Sequence, residues 1–372
     1  MTEPTPTHAF HGGASFEAIG IGFDDLARRT SIVDADVLDA WYEPAPAVLA
    51  TLCDHLPWLV KTSPPTHGDG LRAAIAARHG LAAENVLVGG GTSSLMFLAL
   101  PKLIARGDTV ALLDPTYGEY RHLAETVLGA RIVPCELQEA AGFAPDPRAI
   151  AATANAARAR LLILTNPNSP TGRCLDRDGL RTLLGALGRD CRVWIDETYV
   201  DFTADVPTAE PLVREDPRLV VAKSMSKFFA LSGLRVGYLA ADRALTAALE
   251  PWNPPWSAGL LAQVAAVRAL AEYGWYREQA QRTHALREQL RQDIDALAGL
   301  RCVPSTTNFL LFETQRLPAA TLVAQCRQTG VYLRDCASLS PRLGTRFVRT
   351  AVKDGAANAR IVAALAAAVR NG

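Results

Sequence analysis

The chain has 372 residues, 49% hydrophobic and 20% charged, which supports a sizeable core and argues against disorder. Lys plus Arg and Asp plus Glu both number 38, so the formal net charge is zero and nothing points to a nucleic-acid or membrane-surface partner. The seven cysteines, Cys53 to Cys336, contain no C-x-x-C pair and read as reduced thiols of a cytoplasmic protein, with neither a disulfide framework nor a metal site.

The N-terminus "MTEPTPTHAFHGGASFE" has no basic start followed by an apolar core, so no signal peptide is expected. The first ~35 residues are rich in Pro, Thr and Gly and read as an arm or an ordered loop. Every apolar run is interrupted well short of the ~18 residues a membrane span needs. From Asn85 the rhythm becomes regular. Short β-branched runs appear at "NVLVG", "TVALLD", "ARIVPCEL", "RLLILT", "CRVWID" and "RLVVAKS", with helical stretches such as "SSLMFLALPKLIA" and "RDGLRTLLGAL" between most of them. That alternation predicts an α/β fold with a mainly parallel sheet, covered on both faces.

A break follows at "EPWNPPWSAG" (Glu250–Gly259), where prolines and tryptophans cluster. Beyond it the pattern predicts helix from about Ala258 to Leu297, then strands at "NFLLFE", "GVYLRD" and "TRFVRTAV", then a closing alanine-rich helix. The division expected is an arm over residues 1–40, a large domain over 41–250 and a smaller α+β domain over 251–372.

In such sheets ligands sit beyond the carboxyl ends of the strands, so the loops there carry the functional signal. The loop "VGGGTSSL" brings Gly91, Thr92 and Ser93 to a helix N-terminus, where backbone N–H groups and the helix dipole favour a phosphate. An ordinary glycine turn with a Ser/Thr cap has the same signature. "TNPNSPTG" places Asn168 and Ser169 in a turn directly after a strand. In "WIDETYVDF", Asp196 closes an apolar strand and needs a partner, either a cationic ring nitrogen or an ordinary salt bridge. "SMSKFFALSGLRVGY" sets Lys227 between Ser224 and Ser226, with Arg235 eight residues on, inside an apolar run.

A phosphate cradle, a carboxylate, a tyrosine, a lysine flanked by hydroxyls and an arginine together suit one ligand, pyridoxal 5'-phosphate (PLP). The lysine would form a Schiff base with its aldehyde, and Asp196 would keep its ring nitrogen protonated.

"S-M-S-K-F-F-A-L-S-G-L-R-V-G", with "NPNSPTG", "DETYVDF" and "DPTYGEY" in the order that family shows, resembles the class I/II aminotransferases, closest to the histidinol-phosphate aminotransferase-like branch. The resemblance runs from roughly Asp34 to the C-terminus. It implies PLP fold type I, aspartate aminotransferase-like, with a seven-stranded sheet, a homodimer and amino-group transfer between an amino acid or amino-phosphate compound and an oxo acid. By position, Lys227 resembles the Schiff-base lysine, Asp196 the ring-nitrogen partner and Tyr199 the tyrosine at the ring's 3'-oxygen. Tyr117 resembles the aromatic stacked on the ring. Thr92, Ser93, Ser224, Ser226 and Arg235 match phosphate contacts. Arg349 matches the arginine for the substrate α-carboxylate, and Arg334 aligns with one that can meet a distal anionic group.

Three departures stand out. Ser169 takes the place of the family's asparagine before "PTG", so either it or Asn168 is expected to contact the 3'-oxygen. "LDAWYEPAP" (Leu38–Pro46) and "TSPPTHGDG" (Thr62–Gly70) depart from the relatives' substrate-side segments, with Ser63 where they carry a tyrosine. Trp41, Tyr42, His67 and Trp256 are therefore candidates for a reshaped pocket, with packing roles as the alternative for the tryptophans, and histidinol phosphate itself is not the expected substrate. The alternative activity is a PLP-dependent decarboxylase or lyase on the same scaffold; a PLP-sensing regulator lacks the helix-turn-helix and basic excess it would need.

Overall fold

A computed structural model describes residues 11–371; the first ten residues of the expected arm lie outside the described residues. Among the described residues, thirteen strands form three sheets. β1 (Val33–Asp34) belongs to a two-stranded ladder. The large sheet contains β2 (Val86–Gly89), β3 (Thr109–Asp114), β4 (Arg131–Glu136), β5 (Leu161–Thr165), β6 (Arg192–Asp196), β7 (Leu219–Ser224) and β8 (Gly237–Ala241). The remaining strands are β9 (Leu300–Cys302), β10 (Phe309–Thr314), β11 (Val331–Tyr332), β12 (Arg334–Asp335) and β13 (Phe347–Ala351).

The large sheet has the order β2-β8-β7-β6-β5-β3-β4. Its β4, β3, β5, β6 and β7 run parallel, and β8 is antiparallel to both its neighbours. β3 and β5 are buried at every residue, so alternate side chains enter two different cores. Ala111, Leu162 and Ile195 face one; Val110, Leu161 and Trp194 face the other. β4 is the edge strand beside β3, and Pro134 is one of its exposed residues, which is why a proline is tolerated there.

Helix starts follow local sequence. Asp146 accepts from Arg148 N and Ala149 N before Pro147–Ala156, and Asp176 accepts from Gly179 N before Arg177–Ala186. The expected long helical region is two helices, Leu260–Ala271 and Tyr273–Asp295.

The small sheet has the order β12-β13-β10-β9, all antiparallel, and sets Arg334 directly opposite Arg349. β1 pairs in parallel with β11, so the segment after Asp34 is carried against this sheet.

Candidate active site

The carboxyl ends of β2, β3, β5, β6 and β7 open onto one cavity of about 410 Å³. The crossover to β5 on the far side of β3 creates the crevice where a doubly wound sheet binds ligands.

At one end lies the glycine loop before helix Thr92–Leu103. Gly91 has φ +90, and a Cβ there would lie 3.0 Å from Arg235 Nη2. A Cβ on Gly237 would meet Lys223 O at 2.8 Å and Thr92 N at 3.1 Å. Thr92 Oγ1 is buried without a hydrogen-bond partner. Ser93, Ser224, Ser226 and Arg235 line the same end. Arg235 adopts φ +52 and donates from Nη1 to Ser232 O at 2.7 Å.

Asp196 terminates β6 and is buried. Its Oδ1 accepts from Thr198 N (2.9 Å) and Thr198 Oγ1 (2.6 Å), and its Oδ2 from Tyr120 Oη (2.7 Å). Trp194 Nε1 in turn donates to Tyr120 Oη at 2.9 Å. Burial pushes the Asp196 carboxyl above the usual range, and the Thr198 and Tyr120 hydrogen bonds oppose that rise. No basic side chain among the described residues is hydrogen-bonded to it.

Tyr117 and Tyr199 form the walls. Burial pushes the Tyr117 hydroxyl up to about 12, and its ring stands edge-on to Tyr120 at 5.9 Å. Tyr199 packs edge-on to Phe309 at 5.1 Å. Lys227 Nζ lies 2.7 Å from Asp39 Oδ1, which also accepts from Ser232 Oγ at 2.6 Å. Burial raises the Asp39 carboxyl, and Lys227 and Ser232 more than offset it, leaving the group below its ordinary value.

At the other end, Arg349 donates to Ser169 Oγ and to Asp36 O, both at 3.0 Å, and its buried Nε has no partner. Arg334 Nη1 stands 3.5 Å from Asp36 Oδ1. His11 Nε2 and Glu119 Oε2 are 2.6 Å apart on the same cavity.

Three candidates lie elsewhere. Asn168 does not line the cavity. Its amide is engaged by Thr116 Oγ1, Pro115 O and Thr171 Oγ1, so it ties the loop together while Ser169 faces the opening. Tyr42 donates to Phe228 O at 2.7 Å among Trp41, Trp275 and Tyr276, a packing position. His67 is half exposed and pairs with Glu250 at 3.0 Å. Trp41 donates to Thr283 Oγ1, Trp256 is exposed, and Ser63 is on the surface. Conversely, Tyr120, Asp36, Asp39, Glu119 and His11 reach the site without having been singled out. Tyr120, three residues after Tyr117 on one helical turn, had a periodicity signal.

A family model described as "Aminotransferase class I and II" matches residues 42–365. The chain is 33% identical over 269 residues to histidinol-phosphate aminotransferase 2 of Carboxydothermus hydrogenoformans, covering 71% of this chain and 72% of that one. It is 33% identical over 311 residues to histidinol-phosphate aminotransferase 1 of Bradyrhizobium diazoefficiens, covering 82% and 85%. Among solved structures, the histidinol-phosphate aminotransferase from Clostridium acetobutylicum superposes with TM-score 0.82 at 21% identity, over 92% of this chain and all of that one. The L-threonine-O-3-phosphate decarboxylase from Porphyromonas gingivalis gives 0.78 at 22%, over 91% of this chain and all of that one. At these identities the structural likeness concerns the fold.

Proposed function

The chain belongs to the class I and II aminotransferases, in the branch of the histidinol-phosphate aminotransferases, and from that premise we propose that it moves an amino group between an amino acid and an oxo acid other than the histidinol-phosphate pair. As a member of that family it is a PLP-dependent transferase of fold type I.

The observation that carries the reading is Asp196, a buried carboxylate to which no basic side chain among the described residues is hydrogen-bonded, on the same cavity as Lys227 and Arg349. A protonated pyridine nitrogen is the cation such a carboxylate lacks. The partnerless Thr92 Oγ1, and a glycine cradle that Cβ atoms would fill, suit the phosphate. Thr92, Ser93, Ser224, Ser226 and Arg235 would hold that phosphate, Tyr117 the ring face, and Tyr199 and Ser169 the ring oxygen.

When bound, PLP supplies an aldehyde that takes up amino groups and a ring that accepts the electrons of the bond broken at the α-carbon. Lys227 Nζ would hold the cofactor through its aldehyde carbon and, when free, would serve as general base, taking the α-proton and delivering it to that carbon. Arg349 binds the α-carboxylate through its planar fork, a task for which lysine is a poor substitute. That grip orients the α-hydrogen as the group removed. Asp196 keeps its charge where the ring needs it.

The proposed assembly is a cytoplasmic homodimer. Trp252 and Trp256 remain 59% and 55% exposed beside the glycine loop, which Asn253 contacts through Val88 O. All seven cysteines are unpaired, and no helix among the described residues is long and apolar enough to cross a membrane. Light scattering on the eluting protein checks the dimer, and a monomer mass would overturn it.

Incubating the loaded protein with a panel of amino acids and α-ketoglutarate tests the activity. Glutamate in stoichiometric yield with a new oxo acid is the expected result. Release of carbon dioxide or ammonia without glutamate would replace transamination by decarboxylation or elimination.

A further inference from the structure

The two arginines of the substrate end are not equivalent. They face each other across β12 and β13, but Arg349 donates to neutral acceptors, Ser169 Oγ and the Asp36 carbonyl. Arg334 is met by the carboxylate of Asp36, and both side chains are almost fully buried and line the cavity.

The backbone enforces this meeting. In the parallel ladder of β1 and β11, Asp34 stands opposite Tyr332, and Ala35 N donates to Tyr332 O at 2.9 Å. Two residues further along each segment come Asp36 and Arg334, side by side. Arg349 closes the arrangement by donating to the Asp36 carbonyl. Asp36 is therefore held at the distal wall by three strands and is not a surface carboxylate that happens to lean inward. A second carboxylate, Glu119, is 7% exposed on the same cavity, with His11 beside it.

These placements set the charge that a substrate side chain meets. Arg349 remains for the α-carboxylate, whereas each acid at the distal wall already stands beside a basic group. A phosphate or carboxylate at the end of the side chain would enter beside Asp36 and Glu119, and would have to displace Asp36 from Arg334. A donor group would find carboxylate oxygens able to accept further hydrogen bonds. Burial raises the Asp36 carboxyl and lowers Arg334 from their ordinary values, so each depends on the other for its charge.

Building on the aminotransferase reading, we propose that Asp36 determines specificity at the distal wall, and that the amino donor is an α-amino acid whose side chain ends in a hydrogen-bond donor without negative charge, an ammonium or guanidinium group above all.

Unreactive carboxylates test this without turnover. Dissociation constants of 4-guanidinobutyrate, valerate and glutarate are measured by calorimetry on the PLP-loaded protein. The order expected is 4-guanidinobutyrate tightest and glutarate weakest, with about tenfold or more between them. In Asp36→Asn the gap should close or reverse, by about tenfold in favour of glutarate. Glu119→Gln should move it in the same direction, and serves if Asp36→Asn does not fold. Glutarate binding tightest to the unaltered protein, or a ratio unchanged in the folded variants, would overturn the assignment. Failure of the aminotransferase reading is seen separately: no amino acid in the panel would then yield glutamate, whatever the carboxylate ranking.

Discussion

Tyr120 donates its hydroxyl to Asp196 Oδ2 at 2.7 Å while accepting from Trp194 Nε1, and it does so with no exposure to solvent. The bond favours the charged carboxylate against the burial that opposes it. Tyr120→Phe removes a donor from Asp196 and an acceptor from Trp194, a loss of about 1–3 kcal/mol. The Asp196 carboxyl should rise further, so the acid limb of the kcat/KM profile should move to higher pH. A limb left in place would show that Thr198 alone holds the charge.

Gly237 leaves no room for a side chain. The atoms a Cβ would meet, Lys223 O and Thr92 N, are both backbone and cannot swing aside. Gly237→Ala should push β8 from the start of helix Thr92–Leu103 and weaken PLP retention by about tenfold or more, since the phosphate cradle is built of backbone. Equilibrium dialysis against PLP measures it; unchanged retention would place the phosphate elsewhere.

Asp39 holds Lys227 in an ion pair before any aldehyde arrives. Attack on the aldehyde requires Nζ to leave the hydrogen bond it donates to Asp39 Oδ1 at 2.7 Å. With Asp39 half exposed, the pair is worth about 1 kcal/mol or less. Asp39→Asn should accordingly speed the growth of the visible absorption band on adding PLP by up to about fivefold near neutral pH. Slower growth would mean that the carboxylate positions the lysine more than it restrains it.

Glu197 lies among Lys223, Asp201 and Glu210, three acids about one buried lysine. Burial pushes its carboxyl up to about 7. Because the folded value exceeds the unfolded one, its contribution to stability is complete below the unfolded value and is lost as pH rises through about 7. The Tm of the native protein should therefore fall across that window, and Glu197→Gln should flatten the fall. Calorimetric scans from pH 5 to pH 8 check this; parallel curves would assign the slope to another group.

Legibility in the sequence followed the range of the interactions. Lys227, Asp196 and the glycine loop were readable because each sits where a strand ends, a local event marked by local residues. β8 escaped because it returns antiparallel after only a single 3-10 turn, with no α-helix between, so strand–helix alternation gives no sign of it. The choice between Asn168 and Ser169 depends on how one turn closes, with Asn168 drawn inward by Thr116 and Pro115. Tyr42 and His67 sit in segments expected to differ from the relatives, yet such a difference does not reveal direction: one is packed under Phe228 and the other lies at Glu250. Asp36 could be found only once β1 was known to pair with a strand some three hundred residues later.

The pairing of β1 with β11 separates two duties of the molecule. Residues assigned to the cofactor come from the large sheet and its loops, whereas Arg334, Arg349 and Asp36 come from the small sheet and the segment laid against it. Most of the choice would thus rest on a different foundation from the chemistry. A lineage could exchange one substrate for another by altering Asp36 and its neighbours while the large sheet stays untouched, and a chimaera carrying a relative's residues 33–38 would inherit that relative's taste.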